Sequence, residues 1–129
     1  MHRSGLSGII IDCNTDNLEE AARFWSRVLG FETRPLRDPE DSRYVELDTR
    51  EGEPYIEVQS VEHPSRVQLD IKTDDLEAEV QRLEGLGAIK VEKIKQWWVM
   101  EAPSGHRFCV IPLAPGQNFG RLNTWGSED

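Results

Sequence analysis

Residues 67–77 read "VQLDIKTDDLE" and residues 9–19 read "IIIDCNTDNLE". Five side chains of the earlier stretch recur, each 58 positions later: Asp12, Thr15, Asp16, Leu18 and Glu19 recur as Asp70, Thr73, Asp74, Leu76 and Glu77. A repeat of this length in a chain of 129 residues indicates two copies of one supersecondary module, because it is too long for a small solenoid repeat. The sequence therefore predicts a duplicated unit.

Each copy is predicted to contain one strand, one helix and then three strands. In the first copy, residues 8–61, the strand "GIIIDC" precedes a helix that Asp16 or Asn17 caps and Gly30 ends. The second copy, residues 65–113, repeats this order, and its helix ends at Gly87. The later strands are "FETRPLR", "RYVELDT" and "PYIEVQSV" in the first copy and "IKVEKIK", "WWVMEA" and "RFCVIPL" in the second. Residues 114–129 form a tail, and the whole chain is expected to be one domain with one core.

The composition argues against two classes of partner. Asp and Glu outnumber Lys and Arg by 24 to 15, and the formal charge of −9 repels nucleic acid and anionic lipid. The start "MHRSGLSG" lacks the apolar segment of a signal peptide, so we expect a soluble cytoplasmic protein. Its two cysteines, Cys13 and Cys109, are expected to be reduced thiols.

Alternating side chains divide the predicted strands into an apolar face, under the helices, and an opposite, mostly polar face. Val67, Leu69 and Ile71 point one way, and Asp70 points the other. In the first copy the apolar face takes Val45, Leu47, Ile56 and Val58. The opposite face is predicted to hold Asp12, Glu46, Glu57, Gln68, Asp70, Trp98, Met100, Cys109 and Ile111. Trp98 is placed there because Val99 is assigned to the core.

Three stretches carry a resemblance to the vicinal oxygen chelate superfamily, which includes glyoxalase I, bleomycin-resistance proteins and extradiol dioxygenases. They are "DNLEEAARFWSRVLGFE" at 16–32, "RVQLDIKTDDLEAEVQRLEGLGA" at 66–88 and "APSGHRFCVIP" at 102–112. The chain is most similar to the glyoxalase-like branch. This resemblance implies an α+β fold of two βαβββ modules, in which a curled mixed sheet surrounds a cleft and the helices cover the outer face. It also implies a homodimer.

The resemblance also places the superfamily's metal ligands, which are commonly His and Glu on the first and last strands of each module. In this sequence the positions fall on Ile10, Gln68, Cys109 and Glu57, with Ile56 as the alternative to Glu57. This set is poor for a hard or borderline divalent ion, so no metal and no cofactor is expected. His2, in the terminus, His63, in a connector, and His106, in a turn, are each expected to be solvated surface imidazoles.

The candidate ligand-binding residues are those of the polar face with distinctive chemistry: Asp12, Glu57, Gln68, Asp70, Trp98 and Cys109. Asp12 and Asp70 occupy equivalent positions, so a shared cleft would let one act as acid and the other as base. The alternative is that each carboxylate binds backbone amides or basic residues. Trp98 suits a flat apolar ligand or a dimer contact, and Cys109 is either a soft ligand or an inert thiol.

Three functions remain open at this point. The first is metal-independent binding of a small organic molecule in the cleft, in the manner of the bleomycin-resistance proteins. The second is an enzyme, either a metal-dependent lyase or dioxygenase with an atypical ligand set or a metal-free acid/base catalyst using Asp12 and Asp70. The third is an interaction module with a vestigial cleft, for which the tail would mediate dimerisation.

Overall fold

The structure is a computed structural model that describes residues 1–34, 43–114 and 121–126. The described residues form two helices and eight strands, so the predicted α+β class is confirmed. The elements are β1 (His2–Asn14), α1 (Leu18–Leu29), β2 (Tyr44–Leu47), β3 (Tyr55–Val61), β4 (Arg66–Thr73), α2 (Leu76–Gly85), β5 (Ile89–Ile94), β6 (Trp97–Glu101), β7 (Arg107–Pro112) and β8 (Asn123–Trp125). Within the same residues, no helix is both long and apolar enough to span a membrane.

The chain divides into two compact units, whose boundaries fall inside β1 and β4. The first unit is Gly8–Gln68, and the second unit is Met1–Ser7 together with Leu69–Asp129. In the first unit β1 pairs with β3 in parallel and β3 pairs with β2 in antiparallel. Helix α1 lies between the parallel strands in the chain, as a parallel pair requires a crossover connection.

The core of the first unit lies under α1. Its fully buried members are Ala22 of the helix, Leu47 of β2 and Val58 of β3. The apolar side chains packed around them are Cys13, Leu18, Ala21, Trp25, Phe31, Val45 and Ile56. The predicted faces of β2 and β3 are therefore confirmed, because an alternating pattern leaves only one face to bury.

Both ends of α1 are those that the sequence indicates. The Asn17 side chain accepts a hydrogen bond from the backbone N–H of Glu20 at 3.1 Å, so Asn17 is the N-cap. Gly30 ends the helix with φ at 77°, a left-handed conformation that costs glycine little. In α2 the cap is Asp75, which accepts from the N–H of Ala78 at 3.1 Å.

The second unit holds the complete strand, helix and three-strand order of the repeat. Its strands are arranged in the order β4-β7-β6-β5, parallel between β4 and β7 and antiparallel elsewhere. The core beneath α2 consists of Val80, Ala88, Met100 and Val110, with Leu76, Leu83, Trp98 and Phe108 packed against it. Leu69 shares the face of Phe108 by register but remains 43% exposed, so α2 does not cover the whole apolar face of β4.

The face assigned to β6 was wrong. Met100 is fully buried in the α2 core and Trp98 packs beside it, whereas Val99 pairs with Cys109 across the ladder to β7. Four consecutive apolar residues, "WWVM", carry no alternation, so residue type alone could not choose the face. Trp98 and Met100 therefore lie on the helix side of the strand.

The first residues of the chain are part of the fold. Strand β1 begins at His2, and its first three residues pair in antiparallel with β8 of the tail. Trp125 of β8 is thus placed against the N-terminal strand, while Phe119, the other aromatic residue of the tail, lies outside the described residues. The predicted strand at 31–37 lies partly outside them too, and its described part contains one isolated bridge, from Thr33 to Leu47.

Candidate functional site

A buried carboxylate with three polar neighbours lies on the polar face of the first unit. Asp12 of β1 is 1% exposed, and its Oδ2 accepts a hydrogen bond from the Gln68 amide nitrogen. His63 Nε2 lies 3.6 Å and Arg66 Nε lies 3.7 Å from the same oxygen. We call these four residues the Asp12 cluster. Two of its members, Asp12 and Gln68, were predicted site residues, and the fold brings them together.

The other oxygen of Asp12 has no such neighbour. Asp12 Oδ1 is buried and forms no hydrogen bond with any residue that the structure describes. Nearly all buried acceptors in folded proteins are hydrogen-bonded, and an unsatisfied one costs about 1–3 kcal/mol. The hydrogen bond from Gln68 and the contacts with His63 and Arg66 are all made to Oδ2, so Oδ1 is an enclosed acceptor without a donor among the described residues.

The connector between β3 and β4 positions His63 and Arg66. The backbone N–H of Asn14 donates to Ser65 Oγ at 2.9 Å, and Asn14 Nδ2 donates to the Glu62 carbonyl at 3.3 Å. These bonds attach the connector to the end of β1, so that it runs past Asp12. His63 was expected to be solvated, but its ring, 36% exposed, lies against the carboxylate. Arg66 was not among the predicted ligand-binding residues, although it follows His63 by only three residues.

Glu57 shares the face of Asp12. It is the register partner of Ile10 on β1 and of Glu46 on β2, which places two carboxylates side by side. Arg34 Nη1 lies 3.0 Å from Glu46 and offsets part of this charge. The register confirms Glu57 as the β3 residue of the polar face, since Ile56 packs in the α1 core.

Tyr55 covers the backbone of β1 at the start of this face. Gly8 is its register partner, and a Cβ placed on Gly8 would lie 2.2 Å from Tyr55 Cε1. Glycine is required here because the aromatic ring lies directly on the main chain.

We expect the Gly8→Ala variant to lose about 1–3 kcal/mol of unfolding free energy, because the new methyl group must displace the Tyr55 ring. Denaturant unfolding measures the change. Gly85→Ala is the matched control, since nothing lies within 4 Å of that Cβ and alanine is the better helix former. Equal stability of the two variants would contradict the packing of Tyr55 on Gly8.

The second unit holds the other three predicted site residues. Asp70 of β4 is buried, and it is the register partner of Cys109 on β7, so these two are adjacent. Cys109 lies opposite Phe108 and Val110, away from the α2 core, as its parity predicts. Trp98 does not join them. Its ring faces the α2 core, with Lys90 Nζ 5.0 Å and Lys93 Nζ 5.8 Å from the ring centroid.

The residues 8–111 match the family model described as Glyoxalase-like domain. The chain belongs to this family. It is thereby a member of the vicinal oxygen chelate superfamily, as its sequence resemblance predicts. No curated protein matches the chain by sequence.

Solved structures share the fold of this glyoxalase-like protein at low identity. A hypothetical protein from Bacillus halodurans C-125 is 11% identical, with a TM-score of 0.64 over 89% of this chain and 98% of that chain. A methylmalonyl-CoA epimerase from Mycobacterium tuberculosis is 17% identical, with a TM-score of 0.60 over 86% and 89%. A glyoxalase/bleomycin resistance protein/dioxygenase superfamily member from Vibrio splendidus 12B01 is 20% identical, with a TM-score of 0.60 over 84% and 99%. These likenesses show the fold.

The residues at the superfamily's metal positions do not fit a divalent ion in this glyoxalase-like protein. Ile10 has no ligand atom, and Gln68 offers only its neutral amide oxygen, since its amide nitrogen donates to Asp12. By residue type, Glu57 and Cys109 are the two ionisable ligands at these positions, fewer than the three protein ligands that catalytic zinc sites use. Among the residues that the structure describes, no three His, Cys, Asp or Glu side chains are grouped closely enough to bind a metal.

A second buried carboxylate was missed by sequence reasoning. Glu79 of α2 is 0% exposed, and its two oxygens accept four hydrogen bonds from three residues. The donors are His2 Nε2 at 2.7 Å, Ser4 Oγ at 2.8 Å, Arg82 Nε at 2.9 Å and Arg82 Nη2 at 2.8 Å. The prediction of a solvated His2 was therefore wrong. The available signal was the position of Glu79, which lies three residues after Leu76 and four before Leu83 on the apolar helix face.

This Glu79 network joins both ends of the chain to α2. Trp125 Nε1 donates to Ser4 Oγ at 2.8 Å, and the Arg82 guanidinium lies 3.9 Å from the centroid of the Trp125 ring. Burial would raise the pKa of Glu79, but the hydrogen bonds from Arg82, His2 and Ser4 outweigh it and hold the pKa below its usual value. Glu79 is a charged structural centre without an unpaired oxygen, unlike Asp12.

Proposed function

We propose that this chain is a metal-independent binding protein for a small organic molecule, anchored by the Asp12 cluster on the polar face of the first unit. The observation that carries the proposal is the buried Oδ1 of Asp12, which has no hydrogen-bond partner among the described residues. A folded domain retains such a group at a cost, and such costs concentrate at functional sites.

The chemistry of the open oxygen restricts the ligand. An ionised carboxylate only accepts hydrogen bonds, so the ligand must present an N–H, an O–H or a cation to Asp12. The two carboxylates of Glu46 and Glu57 on the same face favour a cation or a neutral donor over an anion. Because Asp12 is enclosed, the ligand reaches it when a neighbouring side chain moves, and the His63 and Arg66 side chains are 36% and 41% exposed.

The metal-independent part of the proposal is supported by the donor set, in which Ile10 supplies no ligand and Gln68 supplies at most a neutral amide oxygen. A protein of this kind can act by sequestration, as bleomycin-resistance proteins do, since binding requires only shape and complementary polarity. We further propose that the protein is cytoplasmic and forms a homodimer. Light scattering of the full chain measures the molar mass and so tests the homodimer.

The test combines metal analysis with a ligand screen on the full chain. We expect substoichiometric metal in purified protein and no rise in melting temperature with Ni, Zn, Mn or Fe(II). Small amines, amidines and amides are then screened by thermal shift, and at least one chemical class is expected to raise the melting temperature in proportion to its concentration. Stoichiometric metal, or a rise with one ion alone, would overturn metal independence.

A metal-free acid/base enzyme is the second candidate, because Asp12 and Asp70 are both buried, as catalytic carboxylates often are. Incubating each screening hit with the protein and analysing for product by mass spectrometry separates the two functions. Recovery of the unchanged compound supports binding. Turnover that both Asp12→Asn and Asp70→Asn abolish supports the enzyme.

A further inference from the structure

A cavity of about 720 Å³ lies in the first unit where the parallel strands β1 and β3 end. It is lined by Asn14, Thr15, Asp16, Arg43, Ser60, Val61 and Glu62. Its size is within the range of small-molecule sites, and crevices at the carboxyl ends of parallel strands commonly bind ligands. No lining residue belongs to the Asp12 cluster, so this cavity is a separate site in the first unit.

Charges of both signs line the cavity without neutralising one another. Arg43 contributes a guanidinium, and Asp16 and Glu62 contribute carboxylates. The side chains of these three form no ion pair or hydrogen bond with one another or with any other residue of the described ranges 1–34, 43–114 and 121–126. Other exposed ion pairs do form in this unit, since Arg34 binds Asp48 at 2.8 Å. No residue that the structure describes therefore occupies the one cationic and two anionic groups of the cavity.

The neutral part of the wall is fixed by hydrogen bonds. Ser60 Oγ donates to the Thr15 carbonyl at 2.6 Å, and Thr15 Oγ1 accepts from the N–H of Asn17 at 3.0 Å. Asn14 uses its Nδ2 on the Glu62 carbonyl. Within the described part of the chain, nothing binds the Thr15 hydroxyl proton or the Asn14 side-chain oxygen, so both can contact a ligand. The wall is already ordered by its hydrogen bonds, which lowers the entropic cost of binding.

We propose that this cavity binds a small zwitterion, a free amino acid or dipeptide, with its carboxylate on Arg43 and its ammonium group on Asp16 and Glu62. Arginine binds a carboxylate through two parallel N–H donors, and an ammonium group supplies three donors to the two acidic side chains. A ligand with only one of the two charges leaves part of the cavity unmatched. The site discriminates by requiring both.

Isothermal titration of the full chain tests the proposal with four probes: L-alanine, L-alanyl-L-alanine, L-alaninamide and N-acetyl-L-alanine. We expect saturable binding of at least one of the first two, and binding at least about tenfold weaker when either charge is removed, as the loss of a charge-assisted hydrogen bond predicts. Arg43→Met should remove the preference for alanine over alaninamide. Glu62→Gln should reduce the preference for alanine over N-acetyl-alanine.

Arg50→Met is the matched control, because Arg50 is an exposed arginine of the same unit outside the cavity lining. It should bind the zwitterions as the wild type does. The proposal is overturned by the absence of saturable binding up to about 10 mM of either zwitterion, by equal affinity for the blocked probes, or by unchanged affinity in Arg43→Met. Arg43, Arg50 and Glu62 are all exposed, and a thermal melt of each variant checks that it is folded.

Discussion

Glu79→Ala is expected to lower the free energy of unfolding by about 3–5 kcal/mol, the cost of breaking a buried ion pair by removing one partner. The substitution removes an acceptor of four hydrogen bonds and leaves the buried ring of His2 without its carboxylate. The Arg82 guanidinium loses both of its contacts to Glu79 but remains over Trp125. Denaturant unfolding of the full chain gives the number.

Asp74→Asn is the matched control, because Asp74 is a partly exposed carboxylate of the same unit that pairs with Arg3 at 3.1 Å. An exposed pair contributes about 1 kcal/mol or less, so this variant should remain close to the wild type. If both variants lost a similar free energy of unfolding, the buried Glu79 network would contribute no more than an exposed ion pair.

The pH dependence of stability separates the charge of Glu79 from its packing. Its pKa is lower in the folded protein than in the unfolded chain, so its stabilising contribution is complete above the unfolded value, about 4.3, and is lost as the pH falls towards the folded value. Glu79→Gln removes this contribution, so its stability should fall less steeply in acid than that of the wild type. The pKa of Asp74 is lowered too, chiefly by the backbone N–H of Arg3, and that part of the acid slope should persist in Glu79→Gln.

The repeat and its periodicities were sufficient to predict both helices and most strands, and the family resemblance implied the α+β class. These elements were predicted correctly because their signals are local. The cap at Asn17, the left-handed Gly30 and the alternating pattern in β3 each involve only a few neighbouring residues. The prediction for the face of β6 was wrong because this strand carries no such local signal. "WWVM" has no polar residue to break the symmetry, and the choice was made by packing of Met100 against Val80 and Val110.

The site was less accessible from sequence because its key property is a relation between distant residues. Asp12 and Gln68 were both placed on the polar face, but no pattern indicates that Gln68 donates to one carboxylate oxygen while the other has no donor among the described residues. Likewise His2 and Glu79 are 77 positions apart in the sequence. The tertiary fold places the start of β1 beside α2 and so brings His2 Nε2 to 2.7 Å from Glu79 Oε1. Such contacts depend on tertiary register rather than on local propensity.

The largest functional effect is expected from Asp12→Asn. Screening hits that donate a hydrogen bond should bind this variant at least about tenfold more weakly, because a charge-assisted bond to a buried acceptor contributes about 1.5–3 kcal/mol. The amide has the shape of the carboxylate, so stability should change by no more than about 1–2 kcal/mol. Titration of each hit against wild type and variant, with a thermal melt of both, measures the two effects separately.

Asp48→Asn makes the same change of charge at a side chain of the first unit that is 57% exposed, and it should lower the affinities only slightly. This comparison isolates the local contribution of Asp12 from the general effect of reducing the negative charge of the protein, which lowers the affinity of both variants for cations slightly and equally. If Asp12→Asn bound the hits as tightly as Asp48→Asn, the open oxygen of Asp12 would not be the anchor. In that case the unpaired acceptor would be a cost of folding alone, and the ligand would have to be sought elsewhere on the chain.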